Sequence, residues 1–435
     1  MKILIKNGQI IDPAQKINKT GDVLVENGKI AQIGTSVKAK GDITIPAEGK
    51  IVAPGFIDMH THLREPGREE VETLETGLSA AVSGGFTTVS AMPNTEPACD
   101  SQAHVKFLLD RAAEIGLANI LPVGTITKNR EGQQMSEMGE LRQAGCLAVS
   151  DDGDSVADAG LMRRAMEYAS MVDLLVVSHC EDKTLSAGGV MHEGYWSTVL
   201  GLKPVPREAE STIVERDIQL AELTRARLHI AHVSTAESVE IIRDAKKRGV
   251  KVTAEVTPHH FTLSDEDLKT FDTNMKVSPP LRSAEDISAL KKGIKDGTID
   301  AIATDHAPHL ANEKEKEFDY APFGMIGLET ALSLSVMKLI DEGYLDWPGL
   351  IRKLATNPSE ILKYEKGSLK KRKTADIVII DPVKKWTYTG DKVRSRSSNS
   401  PFIGWEMKSA VTDVIVGGKI VLRAGAMETC GTRNS

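Results

Sequence analysis

The stretch GFIDMHTHLREPG, residues 55–67, sets two histidines two positions apart behind an apolar run and follows them with an arginine. In a β-strand, residues i and i+2 share a face, so His60, His62 and Arg64 can point at one spot. Polar groups buried without partners are costly, so this face does not read as ordinary core. A bound metal next to an anionic ligand resolves the oddity. If residues 55–60 form a strand that delivers such groups at its C-terminal end, other strands should do the same.

They do. Short apolar runs recur at 86–92, 119–125, 146–150, 174–179, 227–232, 251–256 and 300–305, making eight with the first. Between them lie segments of helical periodicity, such as 158–171 and 235–249, the latter ending in basic residues and a glycine stop. Repeated strand–helix units of this kind predict an α/β chain with a closed (β/α)8 barrel of the TIM type over residues 55–355. A doubly wound open sheet is the structural alternative. No glycine-rich phosphate loop follows any of the strands, which argues against it.

The ends of the chain resemble each other. DVLVENGKI (22–30) and DVIVGGKI (413–420) each alternate apolar residues into a two-residue hairpin turn. A small β domain built from residues 1–54 and 356–435 is the expectation, since sheets need several strands for stability.

Composition narrows the function. The 435 residues are 40% hydrophobic and 26% charged, as in ordinary globular proteins. The net charge of −7, without a long basic block, argues against nucleic acid or an anionic membrane as partner. The run LKKRK at 369–373 reads as solvated surface. Cys99, Cys146, Cys180 and Cys430 are scattered without metal or disulfide spacing and read as free thiols in a reducing, cytoplasmic setting. The opening MKILIKNGQI lacks the apolar core of a signal peptide, and no run of about 18 apolar residues predicts a membrane span.

Polar residues collect at the strand ends: His60, His62 and Arg64; Asn94; Asp151 and Asp152; His179; His232; and Asp305, His306 and His309. In a barrel these ends converge on the C-terminal rim, where sites are built. Any one of them alone reads as a hydrogen-bonded structural residue; the coincidence on one rim does not. Imidazole and carboxylate together suit Zn²⁺ better than Mg²⁺ or Ca²⁺, and the number of donors exceeds what one tetrahedral ion uses. Two ions about 3.5–4 Å apart would acidify a water between them and polarise a carbonyl. Strand alternation does not choose between Asp151 and Asp152.

Taken in order, GFIDMHTHLREPG, FTTVSAMPNT, SDDG, HCED, HVST, EVTPHH and ATDHAPH resemble the bacterial dihydroorotases of the amidohydrolase superfamily, over nearly the whole chain. HxH alone is shared across the superfamily; HLREPG with MPNT and TDHAPH is far more specific. The resemblance implies a barrel with a β domain from both termini. The activity implied is zinc-dependent reversible hydrolysis of a cyclic amide, dihydroorotate to N-carbamoyl-L-aspartate, in pyrimidine synthesis. Two zinc ions per subunit are implied, bridged by Asp152 and a hydroxide, with His60 and His62 on one and His179 and His232 on the other. Asp305 is implied as a further ligand and as the proton-transfer residue. The implied substrate contacts are His62, Arg64, Asn94, Ser278, His309 and the backbone at Phe323 and Gly324. A homodimer and a complex with aspartate carbamoyltransferase are implied as well.

Two departures from family patterns matter. Hydantoinases and allantoinases usually bridge their metals with a carboxylated lysine on strand four, whereas CLAVSDDG has none, so an aspartate must serve. The close bacterial pattern NPPLR is SPPLR here, which leaves Ser278 one hydroxyl in place of an amide. Rival readings are a hydantoinase-like amidase and a catalytically silent subunit supporting the carbamoyltransferase. Arg64 and the missing lysine argue against the first, and the complete ligand set against the second. His259 and His260 lie on the same rim but match no family ligand. His104, His192 and His229 carry no signal, and His306, facing away from Asp305, reads as structural. The charged run 311–320, next to the site, suggests a lid.

Overall fold

In the computed structural model, which describes residues 1–428, eight parallel strands form one sheet in sequential order. They are β1 (Phe56–Thr61), β2 (Phe86–Ala91), β3 (Asn119–Gly124), β4 (Ala148–Val149), β5 (Leu175–Ser178), β6 (Leu228–Ile230), β7 (Val252–Val256) and β8 (Ala301–Ile302). Seven of them fall within the apolar runs read from the sequence, and β1 runs one residue past the first, to Thr61. Parallel strands covered on both faces bury every side chain, so they read as continuous apolar stretches. The sheet closes into a barrel just beyond β8. Thr304 donates from N and Oγ1 to the carboxylate of Asp58 on β1, at 3.1 and 2.6 Å, and the His62 amide donates to the His306 carbonyl at 2.8 Å.

The covering helices begin where the sequence puts capping residues. Asp158 accepts from the Leu161 amide at 2.7 Å to start Ala159–Met171, and Thr235 accepts from that of Ser238 at 3.2 Å to start Ala236–Lys247. The barrel interior is filled by residues such as Ile57, Met59, Leu121, Val177 and Ala303. Ile361 and Leu362, from the helix Asn357–Leu362, join that cluster, so the barrel's packing continues beyond residue 355.

A second, nine-stranded sheet draws on both ends of the chain. Its seam is Ile51–Pro54, which pairs in parallel with Lys2–Asp12 and antiparallel with Ile377–Thr387. The two hairpins noted in the sequence turn at Asn27-Gly28 and Gly417-Gly418, all with positive φ, as such tight turns require. The turns meet: Ala375 donates to the Gly28 carbonyl, and Gly418 donates to that of Ala375, both at 2.9 Å. A Cβ at Gly418 would lie 2.3 Å from the Gly28 Cα. Gly418→Ala is therefore expected to cost about 2–4 kcal/mol, from left-handed strain plus overpacking. Urea unfolding with an unchanged m-value is the measurement; a loss below about 1 kcal/mol would show that the contact relaxes freely.

Among the described residues, no helix is long and apolar enough to cross a membrane. Cys99, Cys146 and Cys180 are buried free thiols; Cys430 lies outside the described residues.

Candidate active site

The strand ends bring His60, His62, Asp152, His179, His232 and Asp305 together, all buried. Three residues at this rim leave strand geometry abruptly. Arg64, His232 and Asp305 have φ of 60°, 33° and 48°, a left-handed conformation that costs non-glycine residues about 1–3 kcal/mol each. All three line the cavity that opens at this rim.

Asp152 sits among the histidines. Its Oδ1 lies 3.2 Å from His60 Nε2 and 3.6 Å from both His179 Nδ1 and His232 Nε2; its Oδ2 lies 3.5 Å from His62 Nε2. Its neighbour Asp151 faces away, accepting from the Ile126 and Thr127 amides at 2.8 and 3.0 Å, so Asp152 is the one of the two that stands among the histidines. Asp305 Oδ1 is 2.9 Å from His62 Nε2 and 3.6 Å from His60 Nε2. Two sets of donor atoms are close enough to hold an ion: His60, Asp152 and His232, and His60, His62 and Asp305. His60 belongs to both. His179 Nδ1 lies 2.9 Å from His232 Nε2, and both stand 3.6 Å from Asp152 Oδ1, so these three donors are as close together as either set.

The outer nitrogens determine what faces inward. Glu255 Oε1 accepts from His60 Nδ1 at 2.9 Å, and Glu181 Oε2 from His179 Nε2 at 3.2 Å. Asn94 Oδ1, at 2.8 Å, does the same for His62 Nδ1. Each bond places the proton outside and a lone pair inside. His60 Nε2 and Asp152 Oδ1 are buried without any hydrogen bond, and two inward imidazole nitrogens face each other at 2.9 Å. Buried lone pairs without partners are expensive. The donor set fits a cation.

Charge points the same way. The carboxylates draw positive charge to this spot: against burial, Asp152 pushes His60 up and, with Glu181, His179 to about 9, and the Asp152 carboxyl is in turn held well below the ordinary range, as Asp305 is by His62 and His60. Both stay ionised. Glu255, against its burial, is held at about 2 by hydrogen bonds from His229 and His60.

Next to these groups opens a cavity of about 400 Å³. Its walls include Arg64, Asn94, Ser278, His309, Phe323 and Gly324 together with His62, Asp152, His179, His232 and Asp305. Arg64 Nε donates to the Pro308 carbonyl at 3.2 Å, and Nη2 lies 3.4 Å from His309 Nε2. No carboxylate among the described residues comes within 4.0 Å of its guanidinium, and burial lowers it only to about 10, so it stays charged. At Phe323 and Gly324 the backbone is partly committed. The Phe323 carbonyl accepts from His309 Nε2 at 2.8 Å, and the Gly324 amide donates to the Lys276 carbonyl at the same distance.

Other histidines are structural. His306 contacts Glu72 Oε2 at 3.2 Å and accepts from the Gly327 amide, and His260 lies between Thr257 Oγ1 and the Pro279 carbonyl. His259 is buried with its Nε2 unpartnered, outside the cavity wall. The sequence reading missed Glu255, although an acid inside the apolar run KVTAEV was a visible signal. It also passed over His229, whose Nε2 is 3.1 Å from Glu255 Oε2.

Comparison with known proteins supplies the context for this geometry. A family model described as dihydro-orotase-like matches residues 49–238. A dihydroorotase of Geobacter metallireducens is 52% identical over 424 residues, covering 97% of this chain and 100% of the relative. One of Acetivibrio thermocellus is 50% identical over 421 residues, covering 97% and 99%. Among solved structures, an L-hydantoinase (dihydropyrimidinase) from Arthrobacter aurescens superposes with a TM-score of 0.87 at 25% identity, over 98% of this chain and 97% of that one. A dihydropyrimidinase from Brevibacillus agri, at 24% identity and a TM-score of 0.84 over 98% and 96%, shares the fold.

Proposed function

The chain belongs to the dihydroorotase family, and from that premise we propose how its residues open and close the dihydroorotate ring. The single observation that carries the reading is the cavity itself, where an unpaired guanidinium faces a cluster of inward lone pairs. The test is direct: purified, metal-loaded protein should convert dihydroorotate to N-carbamoyl-L-aspartate and back. Absence of turnover in both directions would overturn it. A hydantoinase-like specificity fits less well, because the end of β4 offers Asp152 in place of a lysine and Arg64 calls for an anionic substrate.

In this reading His60, His62, Asp152, His179, His232 and Asp305 would hold zinc, two ions per subunit. When bound, the metal lowers the pKa of a water to near neutrality and polarises the amide carbonyl. The chain's own residues do the rest. Arg64 presents parallel N–H groups to the substrate carboxylate and so decides which ring carbonyl reaches the water. Asn94, with Oδ1 taken by His62, has its amide hydrogens for the substrate, and the Ser278 hydroxyl and His309 edge the same pocket. Asp305 Oδ1 takes the proton of the attacking water and passes it to the ring nitrogen as the amide bond breaks; ring closure runs the same path in reverse. The homodimer and the carbamoyltransferase complex belong to the same proposal. Sedimentation of the protein alone and mixed with the transferase checks both.

Two expected results follow from individual side chains. Arg64→Lys keeps the charge but loses the planar fork. KM for dihydroorotate should rise about tenfold or more, as loss of one charged hydrogen bond implies, with metal content unchanged. Unchanged kinetics in both directions would remove Arg64 from the site. Glu255→Gln keeps size but loses the charge between His60 and His229. Metal affinity should drop about 10–100-fold, read by competition with a chromophoric chelator. An unchanged affinity would reduce Glu255 to a packing residue.

A further inference from the structure

Two lysines next to the cavity carry buried charge without a counter-ion. Lys276 and Lys314 are 2% and 5% exposed, and no carboxylate among the described residues lies within 4.0 Å of either ammonium group. Backbone carbonyls take their place. Lys314 Nζ donates to Pro322 at 2.7 Å and Thr273 at 3.0 Å, with Lys276 at 3.5 Å. Lys276 Nζ donates to Phe318 at 2.7 Å and Asp319 at 3.1 Å, and lies 4.6 Å from the centre of the Phe323 ring. An ammonium has three donors, and Lys314 directs all of them at carbonyls. The cost is visible, since burial pulls Lys314 down to about 7 and Lys276 to about 8.

The carbonyls come from two segments. Thr273 and Lys276 precede Ser278 and Pro279, which line one side of the cavity; Phe318, Asp319 and Pro322 lead into Phe323 and Gly324, which line it as well. The Gly324 amide, bonded to the Lys276 carbonyl, joins the same two segments. We propose that Lys276 and Lys314 are positioning residues for substrate binding, clasping the 318–324 turn to the 273–280 segment so that Phe323, Gly324 and Ser278 stand in one wall. This rests on the reading of the cavity as the dihydroorotate site. It also revises the expectation for 311–320: the run is a strap held down by its own lysine, and Arg68 holds it from outside through Glu313 at 2.6 Å.

Lys314→Met and Lys276→Met, singly and together, keep the chain length and remove the charge. Each single variant should raise KM about tenfold or more for dihydroorotate and for N-carbamoyl-L-aspartate, with kcat falling less than about threefold and metal content intact. Because both lysines act through one turn, the double variant should raise KM by clearly less than the product of the singles. Cleavage after Glu315 and Glu317 by a glutamate-specific protease should quicken about fivefold or more in each variant. If a Met variant does not fold, Lys314→Gln or Lys276→Gln, with amide donors, takes its place and should show the smaller shift in the same direction. KM within twofold of wild type, independent multiplication of the two effects, or unchanged cleavage would overturn the clasp. Wild-type turnover of dihydroorotate separates the two ideas. If it is absent the functional reading fails, and the cleavage rates still decide the clasp.

Discussion

Asp305→Asn is expected to retain most of its metal and lose most of its activity. The side chain is nearly isosteric and sits at the end of β8, where closure of the barrel depends on Thr304 and Asp58 and not on Asp305. Its fold should therefore survive. Of the two donor sets, the one made of His60, Asp152 and His232 is untouched, and the other keeps His60 and His62. What the amide lacks is basicity. Asp305 Oδ1 is an ionised oxygen in a cavity that also holds the substrate-facing Arg64, and an amide oxygen there accepts a hydrogen bond but not a proton. Loss of a general base costs about 10²–10⁴-fold, and weaker metal retention adds to it. The loss should be equal in ring opening and ring closure, since one proton path serves both. An Asp305→Asn protein with metal bound and more than about a tenth of wild-type turnover would show that another group moves the proton. His309, in the cavity wall and outside the donor sets, would then be a candidate; His306, held by Glu72 and the Gly327 amide, would not.

How much of this was legible without coordinates depends on the range over which each feature is encoded. The barrel was legible because its strands are buried on both faces, and the rim because a two-residue period at His60 and His62 fixes their common direction. The hairpins were legible from Asn27-Gly28 and Gly417-Gly418, though not the fact that their turns touch. Glu255 was not legible as a partner of His60, because 195 residues separate them and only closure of the barrel sets β7 and β1 around a common centre. Asp151 and Asp152 could not be separated by alternation, since the chain leaves strand geometry right after Val149. Lys276 and Lys314 were hidden for another reason. A lysine in a charged run reads as solvated surface, and its burial depends on carbonyls that no side-chain pattern announces.

Ring orientation was the least legible feature, and it produces the second large effect. Spacing assigns His60 and His62 to one place and His179 and His232 to another, and Asp152 Oδ1 stands between them, 3.2–3.6 Å from His60 Nε2, His179 Nδ1 and His232 Nε2. A single imidazole lone pair serves one ion, so His60→Ala should empty the place beside Asp305, where only His62 and Asp305 remain, while Asp152, His179 and His232 still stand 2.9–3.6 Å apart. Metal content should fall by about one ion per subunit. A bound metal supplies several kcal/mol of transition-state stabilisation, so turnover should drop about a thousandfold or more at 1.36 kcal/mol per decade. His179→Ala provides the contrast, because it takes a donor from the place around His232 and Asp152 and leaves His60, His62 and Asp305 intact. It should keep at least one ion and lose less activity than His60→Ala. The measurement is elemental analysis of both variants after gel filtration, with kinetics before and after added zinc. If His60→Ala kept the full metal content, or lost no more activity than His179→Ala, His60 would not hold the ion beside Asp305.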